Sequence, residues 1–383
     1  MKIRAAVLRE TGKPSPFAES HPLVIEDVEL DPPGKGEVLV EIKAVGICHS
    51  DLVALTGERA RPIPMVIGHE VAGVVAQLGP GVIGFKVGDH IVPSYVASCG
   101  RCEMCQTGRP ALCVPATKAN VAGTMLDGTT RLHRDGKRIN HHSGIAGFAD
   151  FAVISQNALV KIDASIPFVH AALFGCGVVT GVGAVVNTAG VRAGQSVAIV
   201  GLGGVGLSAL LAAKACGAGR VIAVDINPDK LDFARELGAS EVFNVDQPDC
   251  ITDLRELTDG GVDIAVETAG SPKALETAYA ITRRGGTTIA AGMPGPDATV
   301  PLSHLSLVSE ERTLKGSYMG SCVPSRDIPR YMNLFKQGLL PVDRLMSRTV
   351  GYEDLNAAFD RLHSGTTIRE VLVPEDSDNQ VTS

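Results

Sequence analysis

Val197-Ala198-Ile199-Val200-Gly201-Leu202-Gly203-Gly204-Val205-Gly206 carries an apolar strand-like run straight into a glycine-rich turn that opens a helix. The glycines permit a tight turn, a close approach of backbone to a pyrophosphate and close helix packing, while the helix N-terminus faces the anion. Asp225 ends the next strand-like run, 19 residues after Gly206. There a carboxylate can accept hydrogen bonds from both ribose hydroxyls of an adenosine. The same carboxylate repels a 2′-phosphate, and the next residue is Ile226 rather than Arg, so the reading favours NAD over NADP. The competing reading is a glycine turn in an α/β sheet that binds no dinucleotide.

Working outward, strand-like and helical patterns alternate after about residue 178. The strand-like runs are Ser196–Val200, Arg220–Asp225, Glu241–Asn244, Asp263–Glu267, Thr287–Ala291 and Thr313–Ser317. Helical patterns at Gly204–Cys216, Pro228–Leu237, Ile251–Thr258 and Pro272–Ile281 separate most of them. Such alternation predicts βαβ units, a parallel sheet and helices on both of its faces. The first half reads differently: Ile3–Leu8, Leu23–Val28 and the alternating Val38–Val45 are short β runs punctuated by Gly and Pro, continuing through Val92. They predict a compact, mostly β barrel or sandwich. From Cys99 to His142 polar loop chemistry dominates. The tail adds helical patterns at Ile328–Gln337 and Glu353–Ser364 and a last strand at Glu370–Val373, and residues 375–383 read as disordered.

A chain of 383 residues suggests about two domains. With 45% apolar and 20% charged residues it can build a sizeable core without a membrane. Residues 1–30 lack the pattern of a signal peptide and no apolar run spans a bilayer, so a cytoplasmic protein is expected. The net charge of −7 offers no basic field to a nucleic acid. The nine cysteines are odd in number and four of them cluster between Cys99 and Cys113; in a reducing compartment such clustering points to metal rather than disulfides.

Cys99, Cys102, Cys105 and Cys113 form C-x2-C-x2-C-x7-C. Four thiolates close a tetrahedral zinc shell with no open corner, as in a structural site. An iron–sulfur cluster is the alternative, but ferredoxins place their fourth cysteine three residues on and before Pro, whereas Cys113 comes seven residues on and before Val114. A second metal candidate centres on Gly68-His69-Glu70, a His beside a Glu in a glycine-hemmed apolar run. His69 alone reads more readily as a hydrogen-bonded core residue than as a ligand. Its thiolate partners would be Cys48, in Gly46–Asp51, and Cys176, between Gly175 and Gly177, although each taken singly reads as a buried apolar residue.

These stretches together, with Gly68–Val82, Gly175–Thr180 and Ser364–Arg369, make the chain resemble the zinc-dependent alcohol dehydrogenases of the medium-chain dehydrogenase/reductase superfamily over nearly its full length. The resemblance implies an α/β fold with a Rossmann NAD-binding domain at residues 178–319. Residues 1–177 and 320–383 would form a GroES-like, mostly β catalytic domain, with the active site in the cleft between the two. It implies two zinc ions per chain, with Cys48, His69 and Cys176 as the catalytic ligands; a Cys2His site of this type is the known example in alcohol dehydrogenase. It further implies Asp51 as the acceptor orienting His69, Glu70 behind the metal, and Ser50 taking the alcohol proton. His49 and Arg369 would contact the pyrophosphate, Lys230 the adenosine ribose, and Thr180 and Val205 the nicotinamide, beside the turn glycines Gly201, Gly203 and Gly206. The implied reaction is hydride transfer between an alcohol, held as its zinc alkoxide, and NAD.

The chain departs from that pattern around the substrate. Val53 stands where many members carry a His that ends the proton relay, so protons would leave by ribose and water or by another base. Arg59, Tyr95, Lys118, His142, Ser143 and Tyr318 occupy pocket-lining positions and suggest an alcohol larger or more polar than ethanol. Arg59 also replaces an acid of the glutathione-dependent formaldehyde dehydrogenases, which makes that activity the runner-up; a non-catalytic NAD-binding zinc protein is the rival of another class. The Gly123–Asn140 insertion matches dimeric members, and a homodimer is expected.

Overall fold

The computed structural model describes residues 1–374; the expected disorder at 375–383 lies outside the described residues. The chain forms two compact units. The first comprises Met1–Cys176, Val323–Met332 and the described residues from Asp343 on; the second comprises Gly177–Cys322 and Asn333–Val342. Residues 177, 320–322 and 333–342, expected in the catalytic unit, thus fall in the second unit. One helix, Pro324–Lys336, runs across that boundary. Its continuous amphipathic periodicity gives no sign in the sequence of which turn packs into which unit.

In the second unit six parallel strands lie in the order Glu241–Asn244, Arg220–Asp225, Ser196–Val200, Val262–Glu267, Thr282–Ala290 and Thr313–Gly316. Val197–Val200 are buried throughout, as a central strand covered on both faces must be. Ala198, Val200, Ile222, Val224, Leu254, Ala265 and Ala278 pack together as a core. The chain leaves Ser196–Val200 toward one neighbour and later returns to the other. That reversal of strand order opens a crevice at the carboxyl ends, where an α/β sheet binds ligands. The helices Gly204–Ala215, Pro228–Glu236, Cys250–Leu257 and Pro272–Ile281 fall where the apolar periodicity put them. A short helix at His304–Ser309, started by the Ser303 side chain, was not expected.

In the first unit the ten-residue strand Glu37–Gly46 is the hub of a seven-stranded sheet. It pairs antiparallel with Glu70–Leu78, Phe151–Ser155 and Arg369–Leu372. A closed barrel is built from Lys2–Leu8, Leu23–Leu30, Leu132–Arg134, Lys137–His141 and Met65–Val66. Two expectations need correction. The β pattern does not run unbroken to Val92, because helix His49–Thr56 interrupts it. The segment Cys99–His142 is not all loop: it holds helix Val114–Ala122 and a hairpin whose strands join the barrel. Those hairpin strands have three and five residues, too few to display a period of two. Among the described residues no single helix is long and apolar enough to cross a membrane.

Candidate active site and metal centres

The site grows from the end of strand Glu37–Gly46. The chain turns at Cys48, whose extended backbone precedes helix His49–Thr56. Asp51, three residues on, turns its carboxylate back to the Cys48 N–H, which donates to Oδ2 at 3.3 Å. The other oxygen, Oδ1, accepts from the Gly68 N–H at 3.1 Å, His69 Nδ1 at 3.0 Å and His142 Nδ1 at 2.9 Å. Burial alone would raise the Asp51 carboxyl, but the charge of His69 and the hydrogen bonds from His142 and His69 outweigh it and hold the group below the usual carboxylate range. An ionised carboxylate only accepts, so both histidines donate to it from Nδ1, and Nε2 is the nitrogen each has left for a ligand. Gly68 sits at φ +91, and a Cβ there would meet the Phe148 backbone nitrogen at 2.8 Å. The turn that delivers His69 therefore requires glycine.

Ligand atoms of Cys48, His69, Glu70 and Cys176 all lie within 4.8 Å of one another. The two thiols share a proton: the Cys176 thiol donating to Cys48, with His69 beside it, holds Cys48 well below its ordinary value, and the same bond holds Cys176 well above. Buried thiolate and imidazole donors are the set zinc selects, and a metal ion replaces the protons this cluster now holds. Behind them Arg369 Nη1 donates to Glu70 Oε1 at 3.1 Å and Oε2 at 3.3 Å, and to the Ile47 carbonyl at 3.4 Å. Burial pushes Glu70 up to about 7 against the pull of that guanidinium. Arg369, which the resemblance places at a pyrophosphate, is buried and pairs with Glu70.

The remaining expected residues distribute as follows. Ser50 and Val53 are half-buried and His49 exposed, all on the one helix. Arg59 follows it, half-buried, its N–H donating to the Val53 carbonyl. Tyr95 meets His69 edge to face, ring centroids 5.8 Å apart. Ser143 is buried at φ 56, in the left-handed region. Lys118 is exposed on helix Val114–Ala122. Tyr318 lies half-buried in the second unit. Sequence reasoning missed two features, the His142–Asp51 and Arg369–Glu70 hydrogen bonds. Their partners are 91 and 299 residues apart, and nothing local marks them.

The four-cysteine lobe is also drawn together, with Cys102 Sγ 3.5 Å from Cys105 Sγ and 3.9 Å from Cys113 Sγ. A tetrahedron with Zn–S bonds of about 2.3 Å has edges of about 3.8 Å. The Cys99 and Cys102 N–H groups point at Cys113 Sγ (3.2 Å) and Cys99 Sγ (3.3 Å), which suits sulfurs carrying negative charge. The Cys105 backbone N–H draws the Cys102 thiol down to about 6.

In the second unit the Asp225 carboxylate is held by two backbone groups, Leu202 N–H at 2.6 Å and Asn227 N–H at 2.9 Å. Gly203 caps the helix Gly204–Ala215, and no atom lies within 4 Å of where its Cβ would stand. That space at a helix N-terminus suits a phosphate. Val205 is in the first turn of that helix, and Lys230 is half-buried in the first turn of the next, where Asn227 caps its N–H. Thr180 has a buried hydroxyl with no partner, as a group awaiting a ligand would.

Comparison with known proteins agrees with this geometry. Residues 34–164 match the model of the alcohol dehydrogenase GroES-like domain, and residues 204–337 that of the zinc-binding dehydrogenases. The chain is 37% identical to an S-(hydroxymethyl)glutathione dehydrogenase of Escherichia coli O139:H28, over 97% of this chain and all of that one. Two solved structures are similar: an alcohol dehydrogenase zinc-binding domain protein from Burkholderia ambifaria (TM-score 0.92, 36% identity, 97% of this chain and 99% of that one) and benzyl alcohol dehydrogenase from Acinetobacter calcoaceticus (0.91, 34%, 98% and 99%). With a Cys2His cluster, a four-cysteine lobe and an Asp225-marked dinucleotide fold in place, the chain belongs to the zinc-dependent alcohol dehydrogenases of the medium-chain dehydrogenase/reductase superfamily, enzymes that use NAD and zinc.

Proposed function

We propose that this enzyme oxidises an alcohol larger or more polar than ethanol with NAD, giving an aldehyde or ketone, and that it works as a cytoplasmic homodimer. The observation that carries the substrate reading is the polar wall around His69, where the buried imidazole of His142 and the ring of Tyr95 both meet it edge to face. When bound, zinc supplies a Lewis acid at its open corner, which brings the acidity of a coordinated hydroxyl toward neutral pH. Cys48, His69 and Cys176 would hold it. Asp51 fixes the His69 proton on Nδ1 and thereby aims its Nε2 lone pair. Two thiolates offset much of the metal's charge, which favours release of a neutral carbonyl product. Ser50, in the first turn after Cys48, is placed in sequence to take the substrate hydroxyl proton, and the half-buried Val53 one turn later offers no lone pair to pass it on.

The dimer reading rests on Thr313–Gly316, which ends the sheet with an edge unpaired among the described residues. Cytoplasmic location is favoured by nine cysteines that are all free. The runner-up, oxidation of S-(hydroxymethyl)glutathione, is favoured by the Escherichia coli relative; Arg59 stands against it. The test is a screen of primary, secondary, aromatic and hydroxylated alcohols with NAD, alongside formaldehyde with and without glutathione. Turnover of the larger alcohols should exceed that of ethanol. Activity that appears only with formaldehyde and glutathione together would replace this reading with the runner-up.

A further inference from the structure

His142 leaves half of its hydrogen-bonding capacity unused. Its Nδ1 donates to Asp51 Oδ1 at 2.9 Å, on the oxygen that also orients His69. Asp51 is already fixed without it, since Oδ1 accepts from the Gly68 N–H and Oδ2 from the Cys48 N–H. A third donor on Oδ1 is therefore surplus to orienting the carboxylate, and its definite effect is on His142 itself: the proton is pinned to Nδ1 and the lone pair to Nε2.

Nε2 accepts no hydrogen bond from the described residues, yet it is absent from the side-chain atoms sealed away without a partner. It is thus not fully sealed, although the residue as a whole is buried. The ring stands on edge to that of His69, the imidazole expected to bind the metal, with centroids 5.0 Å apart. A hydrocarbon ring here would present no acceptor, and neither would a tautomer with its proton on Nε2.

We propose that His142 is a specificity-determining residue whose Nε2 accepts a hydrogen bond from a second hydroxyl of the substrate, so that the enzyme prefers a hydroxylated alcohol over the plain alcohol of the same skeleton. The proposal rests on the larger-or-more-polar reading above and names its chemistry. A site built around a hydrogen bond discriminates against the analogue lacking it, because its buried acceptor is then left unsatisfied. For one neutral hydrogen bond the expected preference is roughly tenfold.

The test compares kcat/KM for butan-1-ol against butane-1,3-diol, and for benzyl alcohol against 3-hydroxybenzyl alcohol, in the wild type, His142→Phe and His142→Gln, with zinc per chain measured on each. His142→Phe keeps a ring but removes the acceptor; His142→Gln can return an acceptor near the Nε2 position. The expected result is a wild-type preference for the hydroxylated partner of at least one pair. It should collapse in His142→Phe, chiefly through KM, and return in part in His142→Gln, with two zinc ions retained throughout. A hydroxyl preference that survives in His142→Phe, or is missing from a wild type that turns over the plain alcohols, overturns the proposal and leaves the alcohol reading standing. Failure to oxidise any of the four alcohols overturns both. Loss of zinc in both variants, with parallel losses on all substrates, would show that His142 acts only through Asp51 and the metal ligands.

Discussion

Asp225 separates the two nicotinamide dinucleotides by charge and by shape. Its carboxylate is oriented by the Leu202 and Asn227 N–H groups, which leaves lone pairs to accept from two ribose hydroxyls. Hydrogen bonds to a charged acceptor contribute about 1.5–3 kcal/mol each, so Asp225→Ala should weaken NAD by roughly ten- to a hundredfold. NADP should lose less or gain, because the variant also removes a like charge from the 2′-phosphate. Fluorescence titration of both nucleotides reads this directly, and equal losses would remove Asp225 from the ribose. Asp51 shows what a single residue hides from the sequence. Its return to the Cys48 N–H is local and belongs to a helix start, whereas its bonds to His69 and His142 depend on the path of the sheet and barrel. The ligand residues were legible as types at suggestive places. The hydrogen bonds that fix their tautomers were not.

Among elements, the turn Gly201–Gly206 was legible because strand, turn and helix are contiguous. Its glycines have reasons of two kinds, close contact within the chain at Gly201 and Gly206 and room for a phosphate at Gly203. Those reasons differ, and the difference is measurable. A Cβ on Gly206 would fall 1.8 Å from the Gly201 carbonyl oxygen, so Gly206→Ala breaks the turn, but around Gly203 there is nothing within 4 Å. Gly203 also lies at φ −76, which alanine tolerates. Gly203→Ala should therefore leave stability within about 0.5 kcal/mol, as for an exposed site. Its NAD affinity should nevertheless fall at least about tenfold, since the new methyl occupies the phosphate cradle; such a loss is a fraction of one charge-assisted hydrogen bond. Normal unfolding with normal NAD binding would mean that the phosphate lies elsewhere. The hairpin strand Lys137–His141, which was not legible, carries a second measurable property. His141 is buried, its Nε2 accepts from the Arg131 N–H at 3.0 Å, and burial, then the charges of Arg131 and Arg138, hold it down to about 3. An unfolded histidine titrates near 6.5, so between those values the unfolded chain binds a proton that the native one refuses. Stability from this group is complete above about pH 6.5 and is lost as pH falls toward 3, by at most about 1.4 kcal/mol per pH unit. His141→Gln keeps an acceptor for Arg131 and removes the titration. Its urea midpoint should fall less than that of the wild type between pH 7.5 and pH 5; parallel curves would show that His141 is not what titrates.

For the whole molecule, the open question is what covers the end of the second unit's sheet. Strand Thr313–Gly316 presents an edge unpaired among the described residues, and such edges recruit another strand unless they are blocked. Beside it in sequence the short helix His304–Ser309 leaves Leu305 77% and Val308 65% exposed, and Leu314 on the strand itself is 40% exposed. Exposed apolar side chains grouped in sequence beside a free strand edge are of the kind that marks association. A second copy is the occupant that suits it: about a twofold axis an antiparallel edge pairs with itself, and one patch meets its own image. The Gly123–Asn140 segment, the sequence-based reason for expecting a dimer, is instead absorbed in part by the first unit's barrel through its hairpin, so the dimer reading now rests on the sheet edge. Sedimentation equilibrium of the wild type at micromolar concentration should give twice the 39.9 kDa of the chain. A variant carrying Leu305→Glu, Val308→Glu and Leu314→Lys changes only exposed side chains, and should sediment as one chain while keeping two zinc ions. A wild type that stays at one chain's mass across the concentration range would reject the dimer, and a variant that remains paired would place the interface elsewhere on the molecule.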